Sequence, residues 1–95
     1  MEKLLRLIEQ NIDNASYSIE DLGSEAGMSH SQLNRKLKAI VNMSANQFIR
    51  SVRLHRAMEL LQQGAGNISE IAYMVGYEDP GYFAKSLIKS VLVFL

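Results

Sequence analysis

Apolar residues recur along the chain at helical spacing: Ile19, Leu22 and Ala26; Leu33 and Leu37; Ile68, Ile71 and Val75; Phe83 and Leu87. Steps of three and four residues gather side chains on one face of an α-helix, and no alternation of β-branched residues competes with that period. Polar residues mark the helix starts. Ser18 stands three before Asp21, Ser29 before Gln32, Ser44 before Gln47 and Asn67 before Glu70, while Asp79 precedes Pro80. In each, a short side chain accepts from first-turn amides, the acid or amide returns the bond, and proline suits the first helical position. Stop signals lie between them at Asn14, Gly27, Asn42, Gly64, Gly66 and Gly76. The pattern predicts an all-α chain with six helices, over about 2–13, 19–26, 30–41, 45–63, 68–75 and 80–90.

Only the fourth helix is long. Its apolar residues Phe48, Ile49, Val52, Leu54, Ala57, Met58, Leu60 and Leu61 fill more than one stripe, so a helix wetted on three sides would not carry them. It is expected to act as a strut between two helical clusters, one at each end.

Laying the chain on itself exposes an internal repeat. At an offset of 49, Ile19, Leu22, Ala26 and Gly27 match Ile68, Ile71, Val75 and Gly76. After one inserted residue near Glu78 and Asp79 the offset becomes 50, and Leu33, Arg35 and Leu37 match Phe83, Lys85 and Leu87. Each copy is a short helix, a turn opened by glycine and a second amphipathic helix with a cation midway. This is the helix-turn-helix pattern, whose second helix can enter the major groove of DNA. Two copies joined by a strut are far more specific than one helical hairpin. The expected division is 1–43 for the first unit, 44–63 for the linker helix and 64–95 for the second. A strut of about 19 residues is roughly 28 Å long, against about 34 Å between successive major grooves, so joint engagement calls for bent DNA or a tilted second helix.

Composition narrows the partner. The net charge is zero, but the charges are segregated. From Met28 to Met58 there is no acid, while Arg35, Lys36, Lys38, Arg50, Arg53 and Arg56 fall there, with His30 and His55 as weaker donors. A local basic face is what DNA would meet. There is no cysteine, which excludes disulfides and thiolate metal sites. The two histidines lie on separate helices with no metal-ligand spacing, and Glu78 with Asp79 read as a cap and its neighbour. Neither an enzyme nor a cofactor is expected. No apolar stretch approaches the roughly 20 residues of a membrane span, and the start leads into a helix rather than a signal peptide, so a cytoplasmic protein is expected. The competing reading is a helical protein-interaction or dimerisation module whose basic stretch meets an acidic partner.

From Ile19 to Phe83 the chain resembles the AraC/XylS family of transcription regulators. The resemblance is carried by Ser29-His30-Ser31-Gln32-Leu33-Asn34-Arg35-Lys36-Leu37-Lys38, by Phe48-Ile49-Arg50 with Arg53-Leu54 and Ala57 to Leu61, and by Ile68-Ser69-Glu70-Ile71-Ala72-Tyr73-Met74-Val75-Gly76-Tyr77. It implies two homeodomain-like three-helix subdomains that bind double-stranded DNA. It also implies a place at the C-terminus of a longer bacterial regulator, behind a sensor, dimerisation or two-component region, with RNA polymerase as a further partner. Carried over residue by residue, base reading falls on Ser31, Asn34 and Arg35 in the first reading helix and on Pro80, Gly81, Tyr82 and Lys85 in the second. Arginine can donate two bonds to guanine and asparagine can pair with adenine, whereas Pro80 and Gly81 have no side-chain donors. Ser29, Lys38, Ser44, Arg50 and Lys89 are the residues expected to hold phosphates.

The tail departs from the family. Where an aromatic residue, a lysine pair, a glycine and a final helix are expected, the chain reads Leu87-Ile88-Lys89-Ser90-Val91-Leu92-Val93-Phe94-Leu95. That favours truncation or a shifted reading frame over a natural end. The apolar cluster from Val91 to Leu95 is expected to pack on the second unit or to drive self-association.

Overall fold

The computed structural model describes residues 2–93. Six helices follow one another: α1 (Glu2–Gln10), α2 (Ile19–Ala26), α3 (His30–Val41), α4 (Ala45–Gln62), α5 (Ile68–Met74) and α6 (Pro80–Val93). No strand occurs among the described residues. Two ends differ from the sequence expectation, each for a local reason. The first helix closes at Gln10 because Asn11 turns its side-chain amide onto the Leu7 carbonyl at 2.8 Å, and its backbone amide bonds Ile8 at 3.1 Å in a tightened last turn. The sixth runs on to Val93 because Leu87 to Val93 contains neither glycine nor proline to stop it.

The helix starts are built as their sequences dictate. Ser18, Ser29 and Asn67 each accept from the amide three residues on, and Asp21, Gln32 and Glu70 return the bond to the cap. Ser44 and Gln47 exchange the same pair of bonds at the start of α4, at 3.2 and 3.0 Å. Asp79 caps α6 by accepting from Gly81 at 2.9 Å and Tyr82 at 3.3 Å. Each satisfies amides that have no partner within their own helix.

The chain divides into two compact units. The first comprises the described residues up to Asn11 together with Ser16–Val52; the second comprises Ile12–Ala15 and the described residues from Arg53 on. The boundary falls inside α4, so its first half belongs to one unit and its second half to the other. In the first unit Leu4, Ile8, Ile19, Leu22, Leu33, Leu37, Phe48 and Ile49 are buried. In the second, Ala57, Ile71, Ala72, Val75, Tyr77, Phe83 and Leu87 form one apolar cluster, flanked by Ile12, Leu54, Leu60 and Leu61. Burying the leucine, isoleucine, valine and phenylalanine side chains among these contributes about 1.5–3 kcal/mol each.

The repeat is also a repeat of geometry. Leu22 and Ile71 are fully buried at matching positions, as are Leu33 and Phe83. Both turns close alike: Met28 N–H bonds the Gly23 carbonyl and Tyr77 N–H bonds the Ala72 carbonyl, each at 2.9 Å. Gly27 and Gly76 take the left-handed conformation between them, at φ 69° and 84°. Two pairs break the match in burial, since Ile19 is buried where Ile68 is exposed, and Ala26 is half-buried where Val75 is fully buried. Residues 94–95 and the side chains of 92 and 93 lie outside the described residues, and with them most of the apolar tail singled out above.

Candidate nucleic-acid interface

Each repeat presents the outer face of its second helix. Leu33 and Leu37 anchor α3, and residues on an α-helix advance about 100° each. Ser31, Arg35 and Lys38 therefore fall together on the far side, and all three are exposed. On α6, Phe83 and Leu87 are buried, while Gly81, Tyr82, Lys85 and Lys89 are exposed and Pro80 is half-buried. Arg35 and Lys85 thus occupy equivalent outward positions in the two copies. The α6 face is the less polar of the two: where α3 has Lys38, α6 has Ile88, 60% exposed. The Gly81 amide, which a bare helix start would offer to an anion, is engaged by Asp79.

The residues expected at phosphates lie at helix starts and on outer faces. Ser29 is exposed and Ser44 half-buried, each with its hydroxyl oxygen accepting from an amide at 3.2 Å. A hydroxyl that accepts still carries a proton to donate. Lys38, Arg50 and Lys89 are exposed.

Two residues stand elsewhere than their type suggested. Asn34 sits on the flank of α3, half-buried, and its Oδ1 accepts from the Ala45 amide at 2.8 Å. An asparagine pairs with adenine by turning both its oxygen and its nitrogen to one base edge. Here the oxygen is taken up by the Ala45 amide.

Arg53, one of the cations of the acid-free stretch expected to form a basic face, does not lie on the surface. It is buried: Nη1 donates to the carbonyls of Ile12 at 2.7 Å and Val75 at 2.6 Å, and Nη2 donates to that of Asn14 at 3.0 Å. The fork of guanidinium donors suits several carbonyls at once. Burial holds its pKa below the ordinary arginine value. Arg53 ties the connector after α1 to the end of α5, where the turn into α6 begins, and so helps to place the second helix-turn-helix. A signal for it was available. Ala45, Ile49, Arg53 and Ala57 fall on one stripe of α4 at four-residue spacing, and all four are buried. At the end of the acid-free stretch, His55 and Arg56 lie 3.7 and 3.8 Å from Glu59 on the surface, where such pairs contribute only about 0–1 kcal/mol.

Among the described residues no group of three His, Cys, Asp or Glu is arranged to hold a metal ion. Nor is any helix there long and apolar enough to cross a membrane.

Comparison with known proteins agrees with this geometry. The family described as a helix-turn-helix domain matches residues 22–91. The chain is 38% identical over 85 residues to a protein named histidine kinase P4 of Formosa agariphila, covering 90% of this chain and 6% of that protein. It is 37% identical over 82 residues to the transcriptional regulator SirC of Salmonella typhimurium, covering 86% of this chain and 27% of that one. These relatives are much longer, and the chain spans only a fraction of either. Among solved structures, it superposes with a TM-score of 0.80 on the C-terminal domain of AraT, a response regulator from Geobacillus stearothermophilus, at 25% identity over 93% of this chain and 73% of that one. The TM-score is again 0.80 for the C-terminal domain of the two-component response regulator yesN from Fusobacterium nucleatum, at 23% identity over 95% of each chain.

Proposed function

The chain belongs to the AraC-type helix-turn-helix family, and from that premise we propose that its two second helices, α3 and α6, read double-stranded DNA from the major groove. It is a DNA-binding domain of a transcription regulator and not an enzyme. The observation that carries the proposal is the doubled geometry: twice, a capped helix, a left-handed glycine turn and a helix with a buried apolar face set an exposed cation, Arg35 or Lys85, outward. Arg35, with five donors in a planar fork, recognises guanine, and Ser31 beside it completes the reading face of α3. On α6, Tyr82 and Lys85 meet the duplex by contact and charge, while Pro80 and Gly81 let the helix start approach closely. Ser29, Ser44, Lys38, Arg50 and Lys89 position the backbone.

The full-length protein is a longer bacterial regulator working in the cytoplasm, with a sensor or dimerisation region ahead of this domain, a link to two-component signalling, and RNA polymerase as a further partner. The names of the relatives and the small share of them that this chain spans support the longer regulator and the link to two-component signalling. Selection of bound duplexes from a random-sequence library tests the DNA proposal. An enriched motif is the expected result; retained binding with no motif, or no binding in moderate salt, would favour a protein-interaction module instead.

A further inference from the structure

The reading helix α3 is joined to the next helix by a side chain that was expected to face DNA. Ala45 is the first residue of α4 and is completely buried, so its amide can neither bond within its own helix nor turn to water. A buried amide left without a partner forfeits its bond to water with nothing in return. Ser44 and Gln47 satisfy each other's amides, and Phe48 bonds the Ser44 carbonyl at 2.9 Å. The Ala45 amide is met from outside the helix, by Asn34 Oδ1 at 2.8 Å, eleven residues back and on α3.

We propose that Asn34 is a positioning residue: its side-chain oxygen caps α4 and thereby fixes how α3, with Arg35 next in the chain, is turned toward DNA. The inference rests on the DNA-reading role of α3 and assigns Asn34 a part in it other than base contact. Three observations converge. Asn34 lies about 100° round the helix from the buried Leu33, between the buried face and the outer stripe of Ser31, Arg35 and Lys38, where it can reach a neighbouring helix. A buried donor faces its acceptor, and of the two polar atoms of an asparagine only the oxygen can satisfy it. The equivalent position in the second copy is Ala84, with no oxygen to offer. There α6 runs on to Val93, past the point equivalent to the end of α3 at Val41, so the described residues hold no helix start in register for it to cap.

Asn34→Asp and Asn34→Ala separate the two roles. Aspartate keeps the acceptor for Ala45 but loses the amide donors that adenine recognition needs; its charge lowers affinity for every duplex without favouring one base. Amide exchange of Ala45, followed by NMR on the free protein, is expected to quicken by about tenfold in Asn34→Ala and to stay slow in Asn34→Asp. Library selection with Asn34→Asp is expected to return the wild-type motif. Unchanged Ala45 exchange in Asn34→Ala, fast exchange in Asn34→Asp, or an altered base preference at one position in Asn34→Asp would each overturn the proposal. If the wild-type chain selects no motif, it is the DNA reading that fails, and Ala45 exchange still decides the cap.

Discussion

Gly76 packs against the Arg53 guanidinium so closely that a single added carbon would strike it, and that carbon would also lie 2.5 Å from the Ile12 carbonyl oxygen. Its counterpart in the first copy, Gly27, has the same left-handed backbone, at φ 69° against 84°, but open space where a Cβ would stand. The pair separates backbone strain from collision. Gly27→Ala is expected to cost only the left-handed conformation, about 1–2 kcal/mol. Gly76→Ala adds displacement of a buried charge from its acceptors and should cost at least about 2 kcal/mol more. Urea denaturation of both variants checks this; equal losses would mean that the Arg53 contact yields easily.

Arg53 itself gives a second prediction. Lysine keeps the charge but concentrates it on one nitrogen, which cannot reproduce a planar fork reaching three carbonyls. Arg53→Lys should therefore lose about 3 kcal/mol or more, and Arg53→Met a similar amount, because hydrogen bonds from a charged donor contribute about 1.5–3 kcal/mol each. Far-ultraviolet dichroism followed against denaturant reads the loss. A near-normal Arg53→Lys would show that charge at this position matters more than the fork.

The partners of Arg53 and Asn34 mark the limit of what the sequence conveyed. The helices were legible because their signals are local: a cap and its partner lie three residues apart, and the apolar period repeats within each element. The doubling of Leu22, Gly27 and Leu33 in Ile71, Gly76 and Phe83 was legible for the same reason. The stripe of α4 hinted that Arg53 is buried, but its partners were hidden, because they are backbone carbonyls 41, 39 and 22 residues away and a carbonyl has no identity in a sequence. The bond of Asn34 was hidden alike, its partner being the amide of Ala45. Residue type named the bonds these side chains can form; only the packing decided with what.

Burial of Arg53 changes the expected electrostatics of binding. Arg35, Lys36, Lys38, Arg50, Lys85 and Lys89 remain exposed, while Arg56 is shared with Glu59. If each of the six neutralises one phosphate, log affinity should fall against log salt with a slope of about 5. Fluorescence anisotropy at several salt concentrations measures it. A slope near zero is incompatible with DNA as the partner.

The two reading helices are expected to divide the work. Arg35 stands mid-helix on a face that also carries Ser31 and Lys38, and its fork can bond two acceptors of one guanine. Lys85, its equivalent, is a flexible point charge on a helix that begins with Pro80 and Gly81 and puts Ile88 where the first has Lys38. Arg35→Ala should therefore cost about 1–3 kcal/mol on the preferred duplex and relax its discrimination, because an unmade base contact is lost only where the base is present. Lys85→Ala should weaken preferred and random duplexes by the same factor and reduce the salt slope by about 1, because every sequence has phosphates. Titrations of both variants against the selected duplex and a scrambled one separate these outcomes. Loss of preference in Lys85→Ala with preference intact in Arg35→Ala would place the specificity on α6.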